Sequence, residues 1–348
     1  MENRNRWKIS VETGIFSIGR QRRHGVLEIY DKRNNSWDKE MKIGAVIVLF
    51  RIKPTEIHNL VEKFIHQVDM LCFIDNTPYC SIDNTIRGII DGIPEKAKIK
   101  YIPIMENKGI AFAQNTGIGV LTSENCDFAI FSDQDSIPEE DTVSKLLAAY
   151  LKLEDRGVNV GVVGTTPYNK ISRMPYPVKS KVINANLEVG DIRLMETYSV
   201  ISSISLIRLK HFGTIGGFDN SLFIDGVDHE WCWRAWHQQK LRSFMAKDAV
   251  IYHYFGEGDK SVGNRQVSIA SSFRLYYQYR NYLWLIKSGC TPEYWKKKNG
   301  IKYLVKLIYY PLFVSPRWSN LKNICRGIID GITKKHNQEW HNIPIKKG

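Results

Sequence analysis

Short apolar runs alternate with longer amphipathic stretches over the first half of the chain. Four apolar runs are predicted to be strands: Ile43–Phe50, Met70–Ile74, Ile99–Ile104 and Phe128–Phe131. Three stretches between them are predicted to be helices: Pro54–Gln67, Ile82–Ile93 and Gly109–Leu121. Strands that are apolar throughout and separated by helices are typical of a mainly parallel sheet covered on both faces. The pattern therefore predicts an α/β fold.

The second half of the chain has a less regular pattern. Its predicted strands are Val158–Gly164, Ser199–Ile207 and Ala249–Tyr254. A glycine-rich loop is predicted at Phe212–Phe218, and helices at Asp228–Gln239, Phe273–Ile286 and Tyr294–Ile332. We therefore divide the chain into an extension at 1–40, which is either an upstream-translated segment or a loosely packed arm, a main domain at 41–270 and a basic, aromatic, helical region at 271–348.

Composition narrows the choice of partners. The chain has 348 residues, 43% of them hydrophobic, and a formal net charge of +13, which indicates a globular protein with an anionic partner. No base-reading module is evident, so nucleic acid is excluded in favour of nucleotide-sugar phosphates or an acidic membrane surface. Six scattered cysteines favour a reduced, cytoplasmic protein. The longest apolar stretches are too short to span a bilayer, and the polar N-terminus lacks a secretory signal.

The candidate chemistry begins where the strand Phe128–Phe131 ends. Asp133 and Asp135 lie two residues apart, so on an extended chain both carboxylates face the same side and repel each other. A divalent cation that also binds a diphosphate would relieve the repulsion, since Mg²⁺ takes carboxylate and phosphate oxygens. A solvated surface turn is the alternative. Asp75 ends another strand, and ligands of parallel sheets bind beyond such ends.

Three motifs, in order, resemble those of glycosyltransferase family 2. They are Asn-Lys-Gly-Ile-Ala-Phe-Ala-Gln-Asn-Thr-Gly at 107–117, Asp-Gln-Asp at 133–135, and Gly-Gly-Phe-Asp at 216–219 followed by Leu-Phe-Ile-Asp-Gly-Val-Asp-His-Glu-Trp-Cys-Trp-Arg-Ala at 222–235. The last motif is similar to that of the rhamnosyltransferase branch, which builds bacterial surface polysaccharides such as O-antigen. The resemblance covers roughly residues 42–285.

The resemblance implies a GT-A fold and an inverting, metal-dependent transfer of a sugar from a nucleotide to a hydroxyl group. For the branch it implies dTDP-L-rhamnose as donor and a polyprenyl-diphosphate-linked glycan as acceptor, and hence a cytoplasmic enzyme that works at the inner face of the membrane. A UDP-hexose donor is the first alternative. A nucleotidyltransferase is a more distant one, but it should carry a glycine-rich basic loop after its first strand, and Phe50–Pro54 is not such a loop. A membrane-associated scaffold would not need the acidic motifs.

The metal-binding and catalytic roles follow from the same resemblance. Asp135 is the expected ligand of Mg²⁺ or Mn²⁺, and Asp133 is expected to share the metal or to contact the ribose. His253 is expected to be a further metal ligand, or otherwise a hydrogen-bonded residue between two tyrosines. Asp228 is the expected catalytic base, and it is also a suitable helix N-cap whose pKa the helix dipole would lower.

The donor-binding residues are expected at strand ends and on the small-residue helix. Asp75 is expected to bind the nucleobase, with an Asx turn as the alternative. Four further residues are assigned to the nucleotide or diphosphate: Arg51, Asn107, Gly109 and Asn115. A small-residue helix packed on the sheet is the alternative for the last three, and it is compatible with their binding role. Arg280 is expected to bind a donor or acceptor diphosphate, or else to lie on a solvated helix face.

The acceptor side is expected to include Asp225 and Trp231. Asp225 would orient the acceptor, whereas Glu230 is expected to pair with Arg234 four residues on. The other tryptophans of that helix are expected in the core. Ile204 stands where the family often has glycine, and we expect it to make the acceptor wall bulkier. The tail Tyr294–Lys306 suits either an interfacial helix on anionic lipid or a solvated helical pair.

Overall fold

The computed structural model describes residues 11–12, 16–19, 27–31, 36–79, 83–169, 173–253, 259–262 and 265–340, with the backbone alone for residues 11–40, 253 and 259–268. The N-terminal segment contains four strands, paired antiparallel in chain order: β1 (Val11–Glu12), β2 (Phe16–Gly19), β3 (Leu27–Asp31) and β4 (Ser36–Met41). Residues 11–41 thus include paired strands that the sequence pattern did not predict.

The next ten strands form one large sheet. They are β5 (Ile43–Leu49), β6 (Met70–Asp75), β7 (Ile99–Pro103), β8 (Phe128–Asp133), β9 (Ile137–Pro138), β10 (Val160–Asn169), β11 (Val182–Val189), β12 (Ile192–Thr197), β13 (Ser205–Arg208) and β14 (Arg242–His253). The order is β11-β12-β14-β10-β13-β8-β5-β6-β7, with β9 on β14. A separate hairpin joins β15 (Asp259–Val262) to β16 (Arg265–Ser268).

Nine helices are found in the described ranges. They are α1 (Pro54–Phe64), α2 (Asp83–Asp91), α3 (Ile110–Ser123), α4 (Thr142–Asp155), α5 (Lys210–Ile215), α6 (Val227–Gln239), α7 (Ser272–Leu285), α8 (Glu293–Phe313) and α9 (Arg317–Thr333). None of the helices in these ranges is both long enough and apolar enough to cross a membrane.

The first half confirms the predicted parallel arrangement. Strands β7, β6, β5 and β8 are all parallel, so their carboxyl ends lie at one edge of the sheet. Alternate residues of β5 enter two cores: Ile43, Ala45 and Ile47 pack with α1, α2 and α4, whereas Val46 packs with α3, α5 and α6. Burial on both faces explains why these strands read as continuous apolar runs.

The second half is mixed, and here the sequence predictions were partly wrong. The predicted strand Ser199–Ile207 is a strand only from Ser205, where β13 begins, and helix α5 occupies part of the predicted loop Phe212–Phe218. The hairpin β11–β12 was missed, although its alternating pattern turns at Gly190-Asp191, where Gly190 has a φ of 65°. Strand β13 runs antiparallel between β8 and β10.

The last described residues return to the middle of the chain. The His336 ring lies 2.7 Å from the carboxylate of Asp219, a residue with no exposed surface, and the Glu339 amide donates to the same carboxylate at 3.1 Å. The Gly217 amide donates to the Trp340 carbonyl at 3.2 Å. We call residues 336–340 the C-terminal strap; its contacts hold the loop that leads from α5 toward α6.

Candidate active site

A glutamine anchors the turn that carries the acidic pair. Asp133 ends β8, and the Gln134 side-chain oxygen accepts from the Phe50 amide at 2.8 Å while its nitrogen donates to the Phe50 carbonyl at 3.3 Å. Phe50 follows β5, which pairs in parallel with β8. Asp135 is exposed and Asp133 is half-buried. The turn is therefore fixed to the neighbouring strand end, with Asp135 open to solvent.

Two adjacent serines connect this turn to the start of α6. The Ser203 hydroxyl donates to Asp133 at 3.1 Å. The Ser202 amide donates to Asp228 Oδ2 at 3.1 Å, and the Ser202 hydroxyl donates to Asp228 Oδ1. Because consecutive residues hold the two carboxylates, Asp133 and Asp228 lie close together, and we call the region between the acidic turn and the start of α6 the cleft. The two residues are 95 positions apart in the sequence, so the folded structure is needed to show that they are close together.

The Asp228 carboxyl group is weakly acidic. Burial raises its pKa to about 6; the hydrogen bonds from Ser202 lower it, and the charge of Asp133 raises it. The prediction of an N-cap with a lowered pKa was wrong: Gly226 is the N-cap, Asp228 lies in the first turn, and desolvation outweighs the dipole. A carboxylate with a pKa near 6 is ionised at neutral pH and still basic enough to accept a proton.

Positive side chains border the same cleft. Arg274 donates to both oxygens of Asp225, at 3.0 and 2.8 Å, and this pairing raises the arginine's pKa. Burial lowers the pKa of Lys179, as does Arg274, whereas Asp225, Asp133 and Asp228 act in the opposite direction. The Lys179 ammonium therefore lies within electrostatic reach of all three carboxylates.

The residues at the end of β6 form a hydrogen-bond network in which both carboxylate oxygens of Asp75 are used. Asp75 is 1% exposed; its Oδ1 accepts from the Thr77 amide at 3.0 Å and its Oδ2 from the Tyr101 hydroxyl at 2.8 Å. The structure thus shows the Asx-turn alternative for Asp75. Arg51 is exposed just beyond β5, and its backbone amide donates a hydrogen bond to the Thr77 hydroxyl at 2.7 Å.

Asn107 and Gly109 shape the entrance to α3. The Asn107 side-chain oxygen accepts from Asn76 Nδ2 at 3.0 Å and from the Gly109 amide at 3.2 Å. Gly109 has a φ of 86°, and a Cβ there would lie 2.6 Å from the Phe223 carbonyl oxygen. That carbonyl accepts from the Ile110 amide at 2.7 Å. Glycine is needed here because the loop before α6 packs directly on the start of α3.

Three predicted binding residues have structural roles instead. Asn115 is buried and brackets the loop after α5: its Nδ2 donates to the Phe218 carbonyl at 2.7 Å, and its oxygen accepts from the Phe218 amide at 2.9 Å. Arg280 is 9% exposed and donates to the Ser221 carbonyl at 2.6 Å, so neither a diphosphate contact nor a solvated face describes it. Trp231 is 1% exposed, and an acceptor cannot reach it.

Two expectations for this region concern packing. Glu230 and Arg234 form a buried pair, with Arg234 Nε 2.7 Å from Glu230 Oε1, which confirms the predicted partnership. Ile204 has a φ of 56° and no exposed surface. It points into the core rather than toward an acceptor, so the bulkier wall was a wrong prediction. The left-handed backbone at this position is one that glycine adopts without steric cost.

The acidic turn fits a metal ion whose remaining ligands come from the substrate. Among the side chains that the structure describes, no group of three His, Cys, Asp or Glu could hold a metal ion. Asp133 and Asp135 supply two carboxylates, which suits Mg²⁺ or Mn²⁺ shared with a diphosphate. The His253 side chain is outside the described part. Its backbone ends β14, whose partner β9 begins two residues after Asp135.

Sequence reasoning missed the residues that join the two halves of the cleft: Gln134, Lys179, Ser202, Ser203 and Arg274. Gln134 lies between the two acids, so its position was a usable signal. The two serines were assigned to a strand, and the isolated Lys179 and Arg274 carry no motif. Only the tertiary structure brings these four residues to the acids.

The chain is similar in sequence to known glycosyltransferases. Residues 45–213 match the model of glycosyl transferase family 2. The dTDP-rhamnosyl transferase RfbF of Shigella flexneri is 27% identical over 254 residues, covering 72% of this chain and 81% of RfbF.

Two solved structures share the fold. A structure of S. aureus TarS 1-349 has a TM-score of 0.50 at 14% identity and covers 84% of this chain and 81% of its own. A structure of GalNAc-T7 with UDP, GalNAc and Mn²⁺ has a TM-score of 0.51 at 14% identity and covers 84% of this chain; the match spans 55% of the GalNAc-T7 chain. These likenesses confirm the predicted GT-A type of α/β fold.

Proposed function

We propose that this chain, a glycosyltransferase of family 2, transfers L-rhamnose from dTDP-L-rhamnose to a hydroxyl group of a glycan, with inversion at the anomeric carbon. The similarity to RfbF supports the donor. The observation that carries the proposal is a pair of serine contacts. Ser202 donates to Asp228 and Ser203 donates to Asp133, so the two serines join a candidate base to the acidic turn. A single displacement needs both groups around one sugar.

Asp228 is the proposed base. Its carboxylate takes the proton of the acceptor hydroxyl while that oxygen bonds to the anomeric carbon, and the bond between that carbon and the diphosphate oxygen breaks. dTDP leaves with the electron pair. The two hydrogen bonds from Ser202 fix the orientation of the Asp228 carboxylate, and its pKa of about 6 keeps it ionised at neutral pH.

Asp135 and Asp133 are the proposed ligands of Mg²⁺ or Mn²⁺. The bound cation would neutralise charge on the leaving diphosphate. Lys179 and Arg274 contribute further positive charge beside the acids. Asn107 and Gly109 would shape the nucleotide wall, with Arg51 at the exposed end of β5. Asp75 would reach a nucleobase only if its turn opened, because both its oxygens already accept hydrogen bonds.

A polyprenyl-diphosphate-linked glycan is the proposed acceptor, which implies work at the inner face of the cell membrane. Asp225 would hold the acceptor side in shape through Arg274 and Gln278, whose amide nitrogen lies 3.4 Å from Asp225. Gln278 in turn accepts from Lys306 at 2.7 Å. The positive charges of Arg274 and Lys306 in this network are complementary to the negative charge of an acceptor diphosphate.

A donor screen tests the proposal. The thermal midpoint of the full chain is measured with dTDP-L-rhamnose, with UDP-hexoses and with nucleoside triphosphates, each with Mg²⁺, Mn²⁺ or chelator. We expect the largest rise with dTDP-L-rhamnose plus metal. A rise confined to UDP-hexoses would overturn the donor, and a rise with nucleoside triphosphates alone would favour a nucleotidyltransferase. Release of dTDP by wild type and by Asp155→Asn, an exposed control, should be equal, whereas Asp228→Asn should lose it.

A further inference from the structure

Helix α8 presents a stripe of exposed apolar side chains. The five members are Ile301, Leu304, Val305, Ile308 and Leu312, and each is 55–67% exposed. At 100° per residue they fall within an arc of about 100°, so they form one continuous face. Soluble surfaces seldom expose a contiguous apolar patch without a partner. We call these five residues the α8 stripe.

The opposite side of α8 is already used for packing. Tyr310 is 3% exposed, and its hydroxyl accepts from the Ala270 amide at 2.9 Å. The Tyr303 ring lies 5.2 Å from that of Tyr279, whose hydroxyl donates to the Tyr303 carbonyl at 2.6 Å. Because these contacts orient the helix, the α8 stripe must face away from the body of the protein.

The charge around the stripe is positive, apart from Glu293 at the first position of α8, which pairs with Lys296. Residues 294–329 contain eight lysines and arginines and no aspartate or glutamate. Lys297 and Lys298 are exposed at the amino end of the stripe, and Arg317 is exposed beyond its carboxyl end. Trp318, next to that arginine, is 83% exposed. Apolar residues flanked by cations and an exposed tryptophan match an anionic lipid surface.

We propose that the α8 stripe docks this protein on an anionic lipid bilayer, with α8 lying in the plane of the interface. Self-association through the same face would bring two sets of like charges together, which disfavours a second copy as the occupant. A polyanion without lipid would leave the five apolar side chains in water. The helix has 21 residues, so it covers roughly 30 Å of membrane surface.

This surface deepens the proposed function, since a lipid-linked acceptor would be presented at the membrane. The inner side of α8 carries Lys306, whose amino group donates to Gln278 beside Asp225. Docking through the stripe therefore brings the Asp225 side of the cleft close to the lipid head groups. The docking test below needs neither donor nor turnover, so its failure is separate from failure of the transferase proposal.

Vesicle sedimentation of the full chain tests the docking surface. Vesicles of phosphatidylcholine with phosphatidylglycerol are compared with vesicles of phosphatidylcholine alone. We expect binding to the anionic vesicles, weakened at least about tenfold in the double variant Leu304→Gln, Ile308→Gln. The matched control is Met174→Gln, Ile183→Gln, which alters two residues of similar exposure elsewhere and should bind as wild type does.

A second pair isolates the charge. Lys297→Gln with Lys298→Gln should weaken binding to anionic vesicles roughly 30-fold, since each lysine near such a surface contributes about 1 kcal/mol. Lys63→Gln with Lys210→Gln removes the same charge elsewhere and should have little effect. Thermal unfolding confirms that each variant is folded.

Three results would overturn the proposal. The first is wild-type protein that does not sediment with anionic vesicles, and the second is undiminished binding by the Leu304, Ile308 variant. The third is a wild-type dimer in sedimentation velocity that this variant converts to monomer, which would make the stripe an interface between copies.

Discussion

Replacing Asp228 by asparagine should slow transfer and stabilise the protein at the same time. The carboxyl pKa rises from 3.8 to about 6, mainly through burial. A shift of this size makes the ionised carboxylate about 3 kcal/mol less favourable in the folded state than in the unfolded state. Asparagine carries no charge, so it escapes that cost, but it cannot take the acceptor proton. General-base catalysis contributes about 10²- to 10⁴-fold, and kcat should fall by that factor.

The direction of the pKa shift determines how the stability contribution of Asp228 changes with pH. A raised carboxyl pKa means that the folded state binds the proton more tightly, so this group favours folding at low pH and disfavours it increasingly as the pH rises from 3.8 to about 6. The stability gain of Asp228→Asn should therefore be full above pH 6 and should disappear toward pH 4. Wild-type kcat/KM should fall about tenfold per pH unit below 6, because the base of the free enzyme is then protonated.

The assay combines steady-state release of dTDP with urea unfolding at pH 5 and pH 7.5. Donor affinity of Asp228→Asn should stay within about threefold of wild type, because the asparagine has nearly the same shape. A variant that loses donor binding, keeps more than a tenth of wild-type kcat, or is equally stabilised at both pH values would refute the assignment. Asp155→Asn, on an exposed helix end, is the control for the loss of one charge.

Three further predictions concern the neighbours of this group. Asp135→Ala should abolish metal-dependent donor binding in calorimetry; donor affinity that is unchanged and insensitive to chelator would contradict the metal role. Ser202→Ala removes a hydrogen bond that favours ionised Asp228, so the acidic limb of the kcat/KM profile should move above pH 6; an unmoved limb would mean that another group titrates. Arg234→Leu leaves Glu230 buried without its partner and should cost about 3–5 kcal/mol in urea unfolding. The double variant with Glu230→Gln should recover part of this loss, and no recovery would mean that the ion pair is not the cause.

The parallel half of the fold was predictable because its signals are local. Strands such as Ile43–Leu49 are buried on both faces and read as apolar runs, and the proline at the start of α1 marks a helix boundary. The acidic turn was predictable for the same reason, since strand end and carboxylates are adjacent in sequence. The partnership of Glu230 and Arg234 followed from helical spacing alone.

Other features depend on contacts that no local pattern encodes. A lone buried arginine such as Arg280 looks the same in sequence whether it binds a phosphate or the carbonyl oxygens of a loop, as it does here. The pKa of Asp228 was predicted in the wrong direction because the dipole is a helix property whereas burial is set by the whole fold. Ile204 was misjudged because its complete burial is a property of the whole fold and not of the local sequence.

The C-terminal strap gives the far end of the chain a part in the geometry of the cleft. His336 and Glu339 supply partners to Asp219, and the loop containing Asp219 continues to Asp225 and α6. Shortening the protein after α9 would remove those two partners from a fully buried carboxylate and would weaken the attachment of the loop that leads into α6. A crystallographer who trims the tail for better crystals would thus disturb the very region where a bound glycan is sought, whereas an affinity tag added beyond Trp340 would leave these contacts in place.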